Sequence, residues 1–230
     1  LFLVFGAAAF QNSALKWCSD HRVHHNKVDT EEDPYNINEC FFYAHMGWIF
    51  LKESPSKKIA FAKDLTNDKL VMWQHKYYIP IAAVVSFGLP TLIGHFLGSA
   101  LTGLAFAGLG RLVFVHHTTF FINSLCHVLG SQPYTKETSA RDSIIMAFLS
   151  NGEGYHNYHH TFQTDYRNGI RWYHFDPSKW LIACLSFLGQ AWDLKKTPSK
   201  RINEALEKMK KSAKEASTSL SKNKLNTQGI

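Results

Sequence analysis

The sequence predicts an all-α integral membrane protein in which transmembrane helical hairpins carry a cytoplasmic helical cap. Three observations lead to this prediction: a long stretch almost without charge, one histidine pattern that occurs twice, and a net charge confined to one end. A composition with 45% hydrophobic and 14% aromatic residues excludes a disordered or fibrous chain.

The uncharged stretch runs from Tyr77 to Thr135, where Arg111 is the only Asp, Glu, Lys or Arg. A bilayer is crossed by about 20 mostly apolar residues. We therefore predict transmembrane helices at about 78–97 and 99–122, joined by a turn. The alternative is a buried pair of helices in a soluble protein, although core helices of this length usually carry more charge.

The apolar segment from Leu1 to about residue 14 is predicted to be the end of an earlier span. The polar segments that flank the hairpin hold 24 of the 25 Lys and Arg residues, and the connection between its helices holds none. The positive-inside rule then predicts a multi-pass protein with its polar bulk in the cytoplasm.

The formal net charge of +7 lies entirely in residues 195–230, which carry ten basic residues and three glutamates. We therefore divide the chain into a domain at 1–194 and a basic cytoplasmic tail. Within the tail, apolar residues at helical spacing predict an amphipathic helix from Arg201 to about Ser217, followed by disorder. Nucleic-acid binding is excluded because the basic residues are not interleaved with aromatic ones and the rest is neutral. Membrane lipids are expected partners.

The pattern H-x-x-H-H occurs twice, 135 positions apart. On a helix, positions i, i+3 and i+4 share one face. Each copy would therefore present three imidazoles to one point, as metal binding requires. These candidate ligands are His21, His24, His25, His156, His159 and His160.

A seventh candidate, His127, ends the second predicted membrane helix, and Asn123 lies one turn before it. Six or seven imidazoles exceed the four ligands of a structural zinc, which implies two metals. Nitrogen ligands suit iron, copper or zinc. Soluble di-iron bundles use glutamates as well, so this site would be of a different, histidine-rich type.

Several segments resemble the membrane-bound fatty acid desaturase family, most closely the acyl-CoA delta-9 (stearoyl-CoA) branch in its bacterial form. The similarity covers about residues 1–194. The segments that carry it are Gln11-Asn12, Trp17, Asp20 to His25, Asp33 to Asn36, and Asn151 to Phe162 with its G-E-G-Y-H-N-Y-H-H run.

This resemblance implies that two iron ions (Fe2+) are bound by seven histidines, with Asn123 contributing through a water molecule. The implied direct ligands are His21, His24, His25, His127, His156, His159 and His160. The implied substrate-binding residues are Gln11, Asn12, Trp17, Asp20 and Thr119, of which Trp17 and Thr119 line the bend of an acyl tunnel.

Two departures from the family pattern affect these expectations. The family's first histidine box would fall upstream of Leu1, so we expect the chain to be N-terminally truncated and two ligands short. Ser19 and Lys52-Glu53 stand where acyl-CoA enzymes carry an Arg and an Arg-Lys pair. A Glu at a phosphate contact is unfavourable, which leaves CoA, lipid and carrier-protein substrates open.

The resemblance implies an oxidoreductase that introduces a cis double bond, at delta-9, into a saturated acyl chain while O2 is reduced to water. The tail shows neither a haem-binding nor a four-cysteine motif. We therefore expect a separate electron donor of the ferredoxin or cytochrome b5 type. The alternatives are a di-iron fatty-acyl hydroxylase on the same scaffold and a non-enzymatic membrane protein that binds metal or haem.

Overall fold

The computed structural model describes residues 1–51 and 62–227, with side chains described up to residue 219. The Lys52-Glu53 pair lies outside the described residues. All regular elements in the described ranges are helices, as the sequence predicts, and the few β-bridges are isolated. The chain divides into two compact units, Leu1–Ser124 and Leu125–Ile230.

The first unit contains helices α1 to α7, the last of which runs into the second unit. Their bounds are Phe2–Gly6, Ala14–Lys27, Trp48–Leu51, Lys63–Thr66, Lys69–Lys76, Tyr78–Phe96 and Ala100–Val128. The predicted membrane span at the start of the chain corresponds here to α1 and a short 3-10 turn at Ala7–Ala9. That span stays a prediction.

Helix α2 begins where its first backbone N–H groups find side-chain acceptors. The Ser13 hydroxyl accepts from Lys16 N at 3.3 Å, and Gln74 Oε1 on α5 accepts from Ala14 N at 3.1 Å. Such caps satisfy donors that have no partner within the helix. Since His75 Nδ1 also lies 2.7 Å from Ser13 Oγ, α5 fixes the start of α2 at two points.

Helices α6 and α7 are long and apolar enough to cross a membrane, with mean hydropathies of 1.7 and 1.2 in their most apolar windows. Only 17% and 11% of those windows are buried. A soluble core helix would be mostly buried, so this exposure disfavours the alternative of a buried helical pair. Exposed apolar surface of this extent is typical of a membrane interaction.

The second of these helices extends past the membrane span predicted at about 99–122. Helix α7 continues to Val128, so His127 lies at its end, as predicted. The physical reason is that no Gly, Pro or formally charged residue interrupts residues 112–129, and Gly130 with φ of 129° then ends the run. One uninterrupted helix therefore carries both Asn123 and His127.

The two long helices approach each other closely through glycine. A Cβ atom on Gly103 would lie 2.8 Å from Gly94 Cα and would collide with the Pro90 carbonyl oxygen. The turn between the helices contains Gly98 with φ of 107°, a conformation that other residues rarely adopt. Glycine is therefore required for both the contact and the turn.

Helices α8 to α11 form the second unit, with bounds Ile144–Leu149, His156–Thr161, Pro177–Phe187 and Ser199–Thr227. Ile202 of α11 is buried in a core with Tyr155, Tyr158 and Phe162, which confirms the predicted amphipathic helix. The disorder predicted from residue 218 is wrong over residues 218–227, where α11 continues, and residues 228–230 lie outside the described residues. Once a helix is nucleated, each further residue adds one hydrogen bond, and Gly or Pro is absent until residue 229.

The glycine contact predicts the effect of a single methyl group. We expect Gly103→Ala to destabilise the purified protein and lower its Tm by several degrees, because the neighbouring atoms are backbone and cannot give way. Gly88→Ala is the matched control in the partner helix, where the nearest atom is a Val84 methyl carbon at 4.0 Å. Equal Tm values for the two variants, measured in the same detergent, would contradict the close approach.

Candidate metal centre

The first H-x-x-H-H set lies on α2, as predicted, and brings two imidazoles together. His21 Nε2 lies 3.0 Å from His25 Nε2. Two nitrogens bound side by side at about 2.1 Å from one ion would be about 3.0 Å apart. The pair thus has the separation that a shared metal ion requires.

His24 in the same set is oriented by an acidic side chain from the following loop. Its Nδ1 lies 2.8 Å from Asp33 Oδ1, and both side chains are buried. Burial acts to raise the pKa of Asp33, but hydrogen bonds from His24 and from the N–H groups of Tyr35 and Asp29 outweigh it and leave this pKa below its usual value. Because a carboxylate accepts the Nδ1 proton, His24 Nε2 carries the lone pair that a metal needs.

The second H-x-x-H-H set begins α9 and meets His127 from the end of α7. His156 Nε2 lies 3.0 Å from His160 Nε2 and 3.1 Å from His127 Nε2. All three rings are buried, and one ligand nitrogen from each lies within 4.8 Å of the others. His159 is half-buried, with its ring 5.8 Å from that of His156. The three buried imidazoles have the chemistry and spacing of a metal-binding set.

His127 is also held from its other nitrogen. The Ser139 hydroxyl lies 2.7 Å from His127 Nδ1. Nδ1 of this ring therefore faces Ser139, while Nε2 faces His156. Asn123 is half-buried on α7, one turn before His127. The water-mediated role predicted for Asn123 stays a prediction.

The predicted substrate residues fall into separate local contacts. Gln11 Nε2 donates to Thr119 Oγ1 at 3.0 Å, so these two side chains meet across 108 positions of sequence. The indole of Trp17 stacks on His21 with ring centroids 4.5 Å apart. Asp20 is buried and forms an ion pair with Lys16 at 2.6 Å.

The position of Asn12 is fixed by a hydrogen bond from its backbone and not from its side chain. Its N–H donates to the Tyr78 hydroxyl at 3.0 Å, and its φ of 75° is left-handed, a conformation in which Asn is tolerated better than most residues. The predicted role of Asn12 in binding substrate stays a prediction.

Sequence reasoning missed a second histidine pair in the first unit. His45 Nε2 lies 3.0 Å from His117 Nδ1, and His45 Nδ1 lies 3.1 Å from Ser124 Oγ, which itself donates to Phe120 O. Because the serine proton is used, His45 Nδ1 must donate to Ser124, and its Nε2 accepts from His117. Isolated histidines 72 positions apart give no spacing signal, so the pair is visible only in three dimensions.

The helical units, the two exposed apolar helices and the sets of converging imidazoles define a class: helical proteins with membrane-type helices and histidine-only sets that could hold metal. A family model described as fatty acid desaturase matches residues 1–183. The chain belongs to the fatty acid desaturase family.

Individual relatives agree with this assignment. The chain is 44% identical over 207 residues to a probable acyl-CoA desaturase of Schizosaccharomyces pombe, covering 89% of this chain and 43% of the relative. It is also 44% identical over 207 residues to acyl-CoA desaturase 1 of Saccharomyces cerevisiae, covering 89% and 41%. Its identity to a stearoyl-CoA desaturase of Capra hircus is 36% over 220 residues, covering 93% and 60%.

The chain therefore spans about two fifths to three fifths of the length of these relatives. The relatives are fungal and mammalian, so the expected likeness to the bacterial form is not supported.

The helix that carries the second set is anchored through Asp165. This buried carboxylate accepts from the Tyr158 hydroxyl at 2.7 Å, from Thr197 N at 2.7 Å and from Arg167. Burial acts to raise the pKa of Asp165, but these hydrogen bonds, with that from Arg167 the largest, outweigh it and lower the pKa to about 2. The anchor joins α9 to the segment that leads into α11.

We expect Asp165→Asn to lower the free energy of unfolding by on the order of 2 kcal/mol at pH 7. A carboxyl whose pKa is lowered by folding stabilises the protein above its unfolded pKa, and this contribution is lost as the pH falls from about 4 to about 2. The difference between wild type and variant, measured by thermal unfolding, should therefore shrink over that range. Glu137→Gln, which affects an exposed pair with Lys208, serves as the control and should change little. A difference that persists unchanged down to pH 2 would contradict the role of the charge.

Proposed function

We propose that this chain carries the catalytic region of an O2-dependent desaturase that introduces a cis double bond at delta-9 into a saturated acyl chain. The observation that carries the proposal is the pair of H-x-x-H-H sets in a chain of the desaturase family, each with imidazole nitrogens about 3 Å apart. Removal of hydrogen from unactivated methylene carbons is beyond any protein side chain, so a metal has to supply it.

Two iron ions (Fe2+) are the metals we propose for these sets, and when bound they would supply O2 activation and hydrogen abstraction. The proposed ligands are those of the two sets together with His127, and Asn123 through water. An imidazole set without thiolates is compatible with iron. The partners Asp33 and Ser139 support the assignment, because histidines that bind metals usually have their other ring nitrogen hydrogen-bonded.

The other task of the chain is to position the acyl substrate. An acyl chain has no polar feature near its middle, so only the shape and placement of an apolar tunnel can select one bond. We propose that the Gln11–Thr119 hydrogen bond fixes the wall of this tunnel and that Trp17, stacked on His21, brings the wall next to a metal ligand. Asn12 and Asp20 complete the proposed substrate-binding residues.

We propose acyl-CoA as the substrate, because the relatives named above are acyl-CoA and stearoyl-CoA desaturases. We further propose a multi-pass membrane location with the histidine sets on the cytoplasmic side, which follows from the distribution of Lys and Arg around α6 and α7. The two electrons that the reaction needs would come from a donor of the ferredoxin or cytochrome b5 type.

The test is a fatty-acid profile of a desaturase-deficient host that expresses the full-length gene product, with double bonds located by mass spectrometry. We expect a delta-9 monoene that falls by more than about 100-fold in His159→Ala, since loss of a ligand should cost more than loss of an outer partner. His95→Ala, an exposed histidine outside both sets, is the matched control and should retain the product.

Other products would change the conclusion. Hydroxy acids that depend on His159 would identify a hydroxylase. An unchanged profile together with a Soret absorption band in the purified protein would identify a haem-binding protein. Either result would overturn the proposed desaturation.

The tunnel wall generates a second prediction. Thr119→Val removes the acceptor for Gln11 with little change in side-chain volume. A neutral buried hydrogen bond contributes about 1 kcal/mol, so we expect the ratio of double-bond positions among the products to change by about fivefold. Thr118→Val is the control, since the Thr118 hydroxyl donates to the Val115 carbonyl on its own helix. An unchanged positional ratio in Thr119→Val would contradict the assignment of the wall.

A further inference from the structure

The amide of Asn157 uses all four of its hydrogen-bonding positions inside the second unit. Its Oδ1 accepts from Tyr134 N at 2.9 Å and from Thr135 N at 3.3 Å. Its Nδ2 donates to Thr135 O and to Ala140 O, both at 2.9 Å. The residue is fully buried, and no part of its amide is left for substrate or metal.

All four partners of this amide belong to the loop between α7 and α8. The loop also contains Ser139, whose hydroxyl lies 2.7 Å from His127 Nδ1. Asn157 itself follows His156 in α9, the helix that carries the second histidine set. Its side chain therefore links α9 to the loop that orients His127. His127 and His156 are the two residues whose Nε2 atoms lie 3.1 Å apart.

The same loop also contacts the backbone of α9. Asp142 Oδ1 accepts from Asn157 N at 2.8 Å and from Tyr158 N at 3.1 Å, which caps the helix at its first turn. The loop is therefore attached to α9 at the Asn157 amide and at the Asp142 carboxylate. Rotation of α9 relative to the loop would break both attachments at once.

We propose that Asn157 is a positioning residue that sets His127 against His156 by fixing the loop that carries Ser139. The identity of the metal in this proposal rests on the proposed function. The hydrogen bonds that support the proposal are those of this chain's own residues. Asn157 lies between His156 and His159 in the sequence, yet its effect on the metal is indirect. Its amide fixes residues 134–140, and Ser139 in that segment orients His127.

The experiment measures metal affinity in the purified full-length protein by competition with a chelator, using Fe2+, and the ligand-field absorption spectrum with Co2+. We expect Asn157→Ala and Ser139→Ala each to weaken binding of the metal by about 10- to 100-fold and to change the Co2+ spectrum in the same way. Ser139→Thr keeps the hydroxyl and should restore both values. Tm is recorded for every variant so that loss of fold is separated from loss of affinity.

Two further variants make the test specific. Asn157→Asp keeps both acceptor contacts but loses both donations, so its affinity should also fall. Glu137→Gln changes an exposed side chain of the same loop whose ion-pair partner is Lys208 on α11, and it should bind metal as the wild type does.

Wild-type affinity and spectrum in Ser139→Ala alongside weak binding in Asn157→Ala would overturn the proposal, because the amide would then act only through overall stability. Equal loss in Glu137→Gln would overturn it in the same way. The proposed function fails separately, if the wild type binds two metal ions per chain but the host makes no unsaturated product.

Discussion

The separation of about 3 Å between imidazole nitrogens is the constraint on which the rest of the structure depends. Lone pairs that point at a common centre do not attract one another, so the protein has to hold the rings in place. A single turn of helix provides the common face, as in α2 and α9. The rotations of two of these rings are set by partners from other segments, Asp33 for His24 and Ser139 for His127.

The glycines that precede the second set serve this constraint through packing. A Cβ atom on Gly154 would lie 2.7 Å from Ala147 Cα, and one on Gly152 would lie 2.7 Å from Asp176 Oδ1. Asp176 in turn accepts from the N–H groups of Asn168 and Gly169 and caps α10 at Lys179. The two glycines of the G-E-G sequence are therefore needed for a steric reason, because α8 and the start of α10 approach the chain just before α9.

The sequence was informative wherever one helix face decides the answer. The spacing of His21, His24 and His25 predicted a shared face, and the lack of charge predicted α6 and α7. It was uninformative where backbone atoms are the partners. The contacts of Asn157 to Thr135 and Ala140 leave no trace in residue type, because any residue offers a carbonyl oxygen. Hydropathy and helix length also differ, because hydropathy predicts an apolar span at about 99–122 while the hydrogen bonds of α7 continue to Val128.

The length of α7 links the proposed selection of a bond to the proposed metal ligands. Thr119, Asn123 and His127 follow one another at intervals of four residues on this helix and so lie along one face. A rise of about 1.5 Å per residue places Thr119 about 12 Å from His127 along the axis. Because the α7 backbone is continuous between them, this spacing cannot change without bending the helix. A break at residue 122 would have uncoupled the two. The unbroken helix instead keeps Thr119 and His127 at a constant axial spacing, as our proposal for choosing one bond in a featureless chain requires.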